Sequence, residues 1–187
     1  MNLIFKQICL SYFYILLLFI KIDRVQSKII NISNNSTYFE TIEDIINSNQ
    51  NDKELIVNFV DEYYDMINAN KKKTAIEINV YTNITIVGNK KGTIFDYSSV
   101  TVNRWSFFYG DKGGTVKFEN IIFNSYYART TYIPLVTAAN YYNNNLYMLF
   151  NNCTFQNNSY YIIEFEVSCT SYPKHLDPSF IFTNCNF

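Results

Sequence analysis

Aromatic positions recur along this chain in a fixed frame. Phe118-Glu119-Asn120-Ile121-Ile122-Phe123, Phe150-Asn151-Asn152-Cys153-Thr154-Phe155 and Phe182-Thr183-Asn184-Cys185-Asn186-Phe187 share the pattern Phe-x-Asn-x-x-Phe, and the interval from Phe118 to Phe150 equals that from Phe150 to Phe182. A weaker copy, Tyr81-Thr82-Asn83-Ile84-Thr85-Ile86, lies upstream. From residue 75 onward, short β-branched and aromatic runs alternate with Asn-, Ser- or Gly-rich breaks, which predicts short strands and no further helix. Self-similarity at a fixed period marks stacked units that each bury their apolar face against the next.

Successive side chains of a strand point to opposite faces. Phe118 and Asn120 share one parity, Ile121 and Phe123 the other, so a face that stays apolar must bend at the asparagine. Asn tolerates the left-handed conformation such a corner demands. Stacking the copies predicts four columns: Tyr81, Phe118, Phe150, Phe182; Asn83, Asn120, Asn152, Asn184; Ile84, Ile121, Cys153, Cys185; and Ile86, Phe123, Phe155, Phe187. With strands about 4.8 Å apart, the asparagines form a ladder that is expected to point inward and hydrogen-bond along its own length. The predicted fold is all-β: a short right-handed parallel β-helix. The interval between copies exceeds a bare winding, so Tyr141 to Asn145 and Tyr172 to Asp177 are expected to loop out.

The N-terminal end differs. Lys6, the apolar run Ile8 to Ile20 and Val25-Gln26-Ser27 read as a secretory signal over residues 1–27, with an uncleaved anchor as the alternative. The run is short for a membrane span, and no later segment could cross a bilayer. Residues 28–37 read as a polar linker and residues 38–187 as the coil. Thr41 is placed to cap a short helix ending near Asn49, with Phe39, Ile42, Ile45 and Ile46 on one face, as a cap on the coil. Glu54 to Val60 reads as a strand and Asp61 to Asn70 as a polar connection. The chain stops at Phe187 inside its last motif, so the coil reads as incomplete there: a fragment, a truncated product, or an end covered by a partner.

Apolar residues at 48% exclude a disordered tail, and Asn fills turn positions that five glycines cannot cover. Net charge is −1; removing residues 1–27 takes away Lys6, Lys21, Arg24 and Asp23, leaving −3. That balance offers no basic face for nucleic acid. After the signal, Cys153, Cys169 and Cys185 remain, an odd number for a secreted chain. Cys153 and Cys185, one rung apart, are candidates for a disulfide or for stacked buried thiols, and Cys169 could compete for either.

Asn152-Cys153-Thr154-Phe155-Gln156-Asn157-Asn158 resembles the Asn-Cys-Thr-Phe-x-Asn-Asn signature of right-handed β-helix repeats. Members of the pectate-lyase-like superfamily and the polymorphic outer-membrane protein repeats carry it. Asn83-Ile84-Thr85-Ile86-Val87-Gly88-Asn89 with Thr93-Ile94-Phe95-Asp96 is similar to the opening rungs of such domains, where a helix plugs the coil. The resemblance spans roughly residues 38–187 and implies the fold. It carries over no catalytic residue, because the rungs lack the clustered Asp with Arg or Lys that those lyases use.

Candidate chemistry is therefore sparse. Asp61, Glu62 and Asp65 offer oxygen ligands of the kind that hold Ca²⁺, but three carboxylates in a Tyr-rich loop are more often solvated surface, and no cofactor or metal is expected. His175 has no partner for a triad or zinc site. Asn-Ser-Tyr-Tyr occurs at 124–127 and 158–161, making Tyr126, Tyr127, Tyr160 and Tyr161 candidates for stacking on sugar rings. Tyr63-Tyr64 and Tyr141-Tyr142 are further pairs. Among the sequons, Asn31, Asn34 and Asn157 are the expected glycan acceptors, whereas Asn83 and Asn152 are excluded if they point inward. The expected function is a secreted or cell-surface, non-catalytic β-helix module for adhesion or scaffolding. The alternative is a carbohydrate binder or degenerate polysaccharide-lyase relative. Partners would be an extracellular polysaccharide or a surface protein.

Overall fold

A computed structural model of the chain describes residues 27–70, 74–128, 133–142, 145–159, 161–168 and 180–187. The signal-like stretch before Ser27 and the expected loop from Tyr172 to Asp177 lie outside the described residues. The chain enters through strand β1 (Ser27–Ile32), helices α1 (Thr37–Glu40) and α2 (Ile42–Ser48), and β2 (Glu54–Phe59). Then follow β3 (Tyr63–Asp65), a 3₁₀ turn (Met66–Asn68) and β4 (Ala75–Val80). Two three-strand windings come next: β5 (Asn83–Val87), β6 (Thr93–Asp96) and β7 (Arg104–Tyr109), then β8 (Thr115–Glu119), β9 (Ile121–Asn124) and β10 (Val136–Asn140). A third holds β11 (Tyr147–Asn151), β12 (Thr154–Gln156) and β13 (Ile163–Val167), and β14 (Phe180–Thr183) closes the series.

These strands form three parallel sheets wound into a β-solenoid. One sheet runs β1-β2-β5-β8-β11-β14, the second β12-β9-β6-β3 and the third β13-β10-β7-β4. Each strand pairs in parallel with its counterpart one winding away, as the repeat predicts. Residues 28–37 are not simply a linker: Lys28 to Ile32 lie in β1, in register with Leu55 to Phe59. Likewise Asp61 to Asn70 contains β3 and the 3₁₀ turn, not only a connection. Both stretches are short and polar on one face, so periodicity alone could not separate them from loop.

Inside the coil the predicted aromatic columns exist. Phe118, Phe150 and Phe182 stack with ring centroids 5.3 and 5.0 Å apart and planes within 4° and 6° of parallel. Phe123, Phe155 and Phe187 repeat this at 4.9 and 5.2 Å. Phe118, Phe123 and Phe150 are fully buried, and each such side chain contributes about 1.5–3 kcal/mol through burial.

The corner asparagines also stand where expected in three of the four copies. Asn120, Asn152 and Asn184 have φ of 58°, 51° and 54°. The upstream copy is corrected: Ile86, not Tyr81, is the partner of Phe118, and Phe95, not Ile86, is the partner of Phe123. Gly88 takes the corner position, its N–H bonding the Glu119 carbonyl while the Thr93 N–H bonds that of Asn120. Residues 89–92 are inserted between the two halves of this motif, so the chain from Phe95 to Phe123 is shorter than that from Phe123 to Phe155, although both span one winding. Asn83 begins β5 instead of turning a corner. A search for an ungapped hexapeptide cannot see a split copy.

The α2 side chains serve the outer edge of β4. Glu43 Oε2 accepts from the Glu77 N–H at 3.0 Å, and Asn47 bonds the Asn79 N–H and Glu77 carbonyl. Just past the helix, Gln50 bonds the Tyr81 N–H and Asn79 carbonyl at 2.8 and 2.7 Å. Spacings of i+4 and then i+3 put these groups on one helical face, opposite alternate residues of the strand. Phe39, Ile42 and Ile46 turn into the core, and Ile45 packs beside it.

Candidate binding surface

The asparagine ladder lies outside the coil, contrary to its expected inward direction. Asn152 is exposed, and its side-chain amide donates to Asn120 Oδ1 at 2.7 Å. The left-handed corner turns the backbone so that the phenyl rings on either side face in and the amide faces solvent. Asn83 is exposed too and accepts from the Thr115 N–H. Neither sequon is therefore closed by burial. Asn31, Asn34 and Asn157 are also exposed: Asn31 accepts from Asn58, Asn34 donates to the Tyr63 carbonyl, and Asn157 donates to Asn124.

The second sheet carries a continuous polar column on its outer face. Tyr63 donates to Asp96 Oδ2 at 2.8 Å, Asn124 donates to Asp96 Oδ1 at 3.1 Å, and Gln156 donates to Asn124 at 3.3 Å. The hydrogen bond to Asp96 is the main cause, ahead of burial, that pushes the Tyr63 hydroxyl up to about 12. Two of the carboxylates that could hold calcium serve the backbone instead. Asp61 accepts the Asn34 N–H at 2.7 Å and Asp65 accepts the Ile67 N–H at 3.0 Å. His175 lies outside the described residues.

Cys153 and Cys185 are free thiols, one buried and one half-buried. The disulfide between them is absent. Each Sγ points to a main-chain carbonyl of the preceding winding, Cys153 to Phe118 at 3.6 Å and Cys185 to Phe150 at 3.4 Å. Burial pushes the Cys153 thiol up to about 12. Cys169 lies outside the described residues.

The tyrosines divide differently from the sequence expectation. The two Asn-Ser-Tyr-Tyr segments begin at Asn124 and Asn158, whereas one winding of the coil carries Asn124 onto Gln156 and Tyr127 onto Ser159. The tetrapeptide repeat is thus out of phase with the coil. Tyr126 stands against Asn158, whose Oδ1 accepts its N–H at 2.8 Å. Tyr126 is fully buried, donates to the Ile133 carbonyl at 2.9 Å, and has its hydroxyl pushed by burial up to about 12. It cannot stack on a sugar. Tyr127 is half-buried, Tyr161 is exposed, and Tyr160 lies outside the described residues. Within the other pairs, Tyr64 is buried and bonds the Ile32 carbonyl while Tyr63 is exposed.

A different aromatic edge emerges at the turn from the third sheet to the first. Val80 pairs with Tyr109, and Phe108 with Ala139; extended one residue past the first pair and two past the second, beyond the ends of the strands, this register sets Tyr81, Gly110 and Tyr141 in one column. Tyr81 is 70% exposed, Tyr141 63% and the neighbouring Tyr142 67%. Gly110 leaves the position between the two rings without a side chain. Two layers separate them, roughly 9.6 Å at about 4.8 Å per layer. The neighbouring Glu166 carboxylate, ahead of burial, raises the Tyr141 hydroxyl pKa. In the sequence, Tyr141-Tyr142 stands out only as a pair. Its connection to the distant Tyr81 needs the strand register, which no local pattern supplies.

No helix among the described residues is long and apolar enough to cross a membrane. No family model, curated protein or solved structure matches the chain.

Proposed function

We propose that this chain is a non-catalytic β-solenoid module of a secreted or cell-surface protein, and that the Tyr81–Tyr141–Tyr142 edge binds extended carbohydrate polymers for adhesion. The observation that carries the reading is the column of exposed rings with Gly110 as a notch between them. A tyrosine offers a flat apolar face to sugar C–H groups and a hydroxyl to sugar oxygens, with few rotors to freeze. The coil fixes the ring spacing before any ligand arrives, which lowers the entropic cost of binding. Two rings two layers apart suit an extended polymer that meets them at alternate sugars. The charged and apolar N-terminal run, with Lys6 ahead of Ile8 to Ile20, supports export.

The test is affinity electrophoresis of the purified protein in gels containing neutral or acidic polysaccharides, with and without Ca²⁺. Retardation by at least one neutral polymer is expected. Tyr81→Ala and Tyr141→Ala should each weaken it about tenfold, near 1.4 kcal/mol, while Tyr161→Ala leaves it unchanged. Equal mobility in every gel would refute the binding role. Release of unsaturated sugar from a polyuronide would overturn the non-catalytic reading.

A further inference from the structure

The sequon Asn83-Ile84-Thr85 stands where the third sheet passes into the first, and the outward turn of its asparagine opens it to modification. The planar amide of Asn83 is held by its oxygen: Oδ1 accepts the Thr115 N–H at 3.1 Å. Nδ2 lies on the other side of the group, clear of that bond. At Asn34, Asn152 and Asn157 the nitrogen itself is engaged, with the Tyr63 carbonyl, Asn120 and Asn124 respectively. Asn83 is exposed on the side of the coil with both neighbouring windings in place, paired with Glu54 on one and bonded to Thr115 on the other.

Tyr81 comes out of the same corner. Tyr81 is exposed, Thr82 half-buried and Asn83 exposed, so Tyr81 and Asn83 leave the chain on one side. Two residues of chain hold their Cα atoms within about 7 Å of each other. Three hydrogen bonds fix the corner. The Tyr81 N–H donates to Gln50 at 2.8 Å, the Thr82 hydroxyl to the Asp52 carbonyl at 2.6 Å, and the Thr115 N–H to Asn83. Ring and amide are thus presented together before any sugar is attached, which lowers the entropic cost of a contact between ring and sugar. The C–H groups of a pyranose pack on the apolar face of a tyrosine.

The geometry points to Asn83 as the acceptor of an N-linked glycan whose first sugar packs on the Tyr81 ring. In the transfer an N-glycosidic bond forms between Nδ2 and C1 of the reducing-end sugar of a polyprenyl-diphosphate-linked oligosaccharide. Nδ2 gives up one hydrogen as a proton, the bond from C1 to the diphosphate breaks, and the polyprenyl diphosphate leaves with the electron pair. Substitution at nitrogen spares the oxygen, so the bond from Thr115 survives. The inference rests on the export proposed above, because such a donor is met only along the secretory route. The attached sugar and an external polymer would compete for one ring, so occupancy at Asn83 regulates the Tyr81–Tyr141 edge.

The test takes the full chain from a eukaryotic secretory host, alongside the same chain made with glycan transfer inhibited. Cleavage after Lys73 and Lys90 yields residues 74–90, which hold Tyr81, Asn83 and no other sequon. Mass spectrometry should find this peptide glycosylated in most of the exported chains. Tetranitromethane should nitrate Tyr81 about fivefold more slowly in the glycosylated chain, as for a ring covered about four-fifths of the time. Tyr142, 67% exposed, should react equally in both chains. An exported chain bare at Asn83 would overturn the inference and leave the export reading standing. A chain found only in the cytosol would overturn both. Glycan at Asn83 with Tyr81 nitrated at the bare rate would also overturn the inference, since the sugar would then stand away from the ring.

Discussion

Asn152 donates its side-chain amide to Asn120 Oδ1, 2.7 Å away, on the outside of a corner where both residues are left-handed. The backbone conformation and the amide bond are separable contributions. Left-handed φ costs a residue with a Cβ roughly 1–2 kcal/mol, less for Asn, and glycine almost nothing. Asn152→Ala should therefore destabilise the fold by about 1–2 kcal/mol in urea unfolding. Asn152→Gly should stay within about 1 kcal/mol of the parent, losing only an exposed hydrogen bond. Equal losses in the two variants would mean that the ladder, not the corner, sets the requirement.

Gly88 stands under the next corner. A Cβ there would lie 2.5 Å from the Asn120 carbonyl oxygen and 2.7 Å from Thr93 Cβ. Backbone at that distance cannot rotate away. Gly88→Ala should cost about 1–3 kcal/mol, the range for forced overpacking. Gly110→Ala, with its nearest contact at 3.9 Å, should be nearly neutral. The paired urea midpoints check this, and a neutral Gly88→Ala would show that residues 89–92 absorb the shift.

The coil is legible where one residue type performs one repeated task. Phe118, Phe150 and Phe182 announce a stack because flat rings at one repeated position pack plane to plane, and the asparagines mark corners because few residues accept φ near 55°. Direction and phase stay hidden. Alternation gives parity within a strand, but a left-handed residue breaks parity, so counting along the chain puts the ladder on the wrong side. Tyr126 and Tyr160 look equivalent by word, yet one winding of the coil sets Tyr126 beside Asn158. The aromatic edge is illegible for the same reason, since Tyr81 and Tyr141 meet only through the register of β4, β7 and β10.

Glu43 is buried and accepts both the Asn70 amide at 2.9 Å and the Glu77 N–H at 3.0 Å. Glu43→Ala removes the acceptor of the part-buried Glu77 N–H and one of two acceptors of the Asn70 amide, which keeps the Ala75 carbonyl, and should cost about 1–3 kcal/mol in all. Glu43→Gln keeps one acceptor oxygen and should recover more than half of the loss. Hydrogen exchange should show the Glu77 and Tyr81 amides losing protection first in Glu43→Ala and Gln50→Ala respectively. Unchanged exchange at both would mean that α2 contributes only its apolar face.

Cys153, Tyr64 and Tyr126 all hold their protons more tightly when folded. Burial raises the Cys153 thiol from its ordinary value near 9 to about 12, and the Tyr64 and Tyr126 hydroxyls from 10 to about 12. The unfolded chain releases these protons first, so it binds fewer of them over this window and stability falls as pH rises. The contribution is fully present below pH 9 and is lost progressively up to about pH 12. Urea midpoints should be flat from about pH 7 to 8.5 and decline beyond it. In Cys153→Ala the decline should begin nearer pH 10, where only the tyrosines remain. Iodoacetamide at about pH 8 supplies a second readout: peptide mapping should find Cys185 alkylated in native protein and Cys153 protected until urea unfolds it. Early alkylation of Cys153, or a decline that begins at the same pH in both proteins, would place that thiol outside the core.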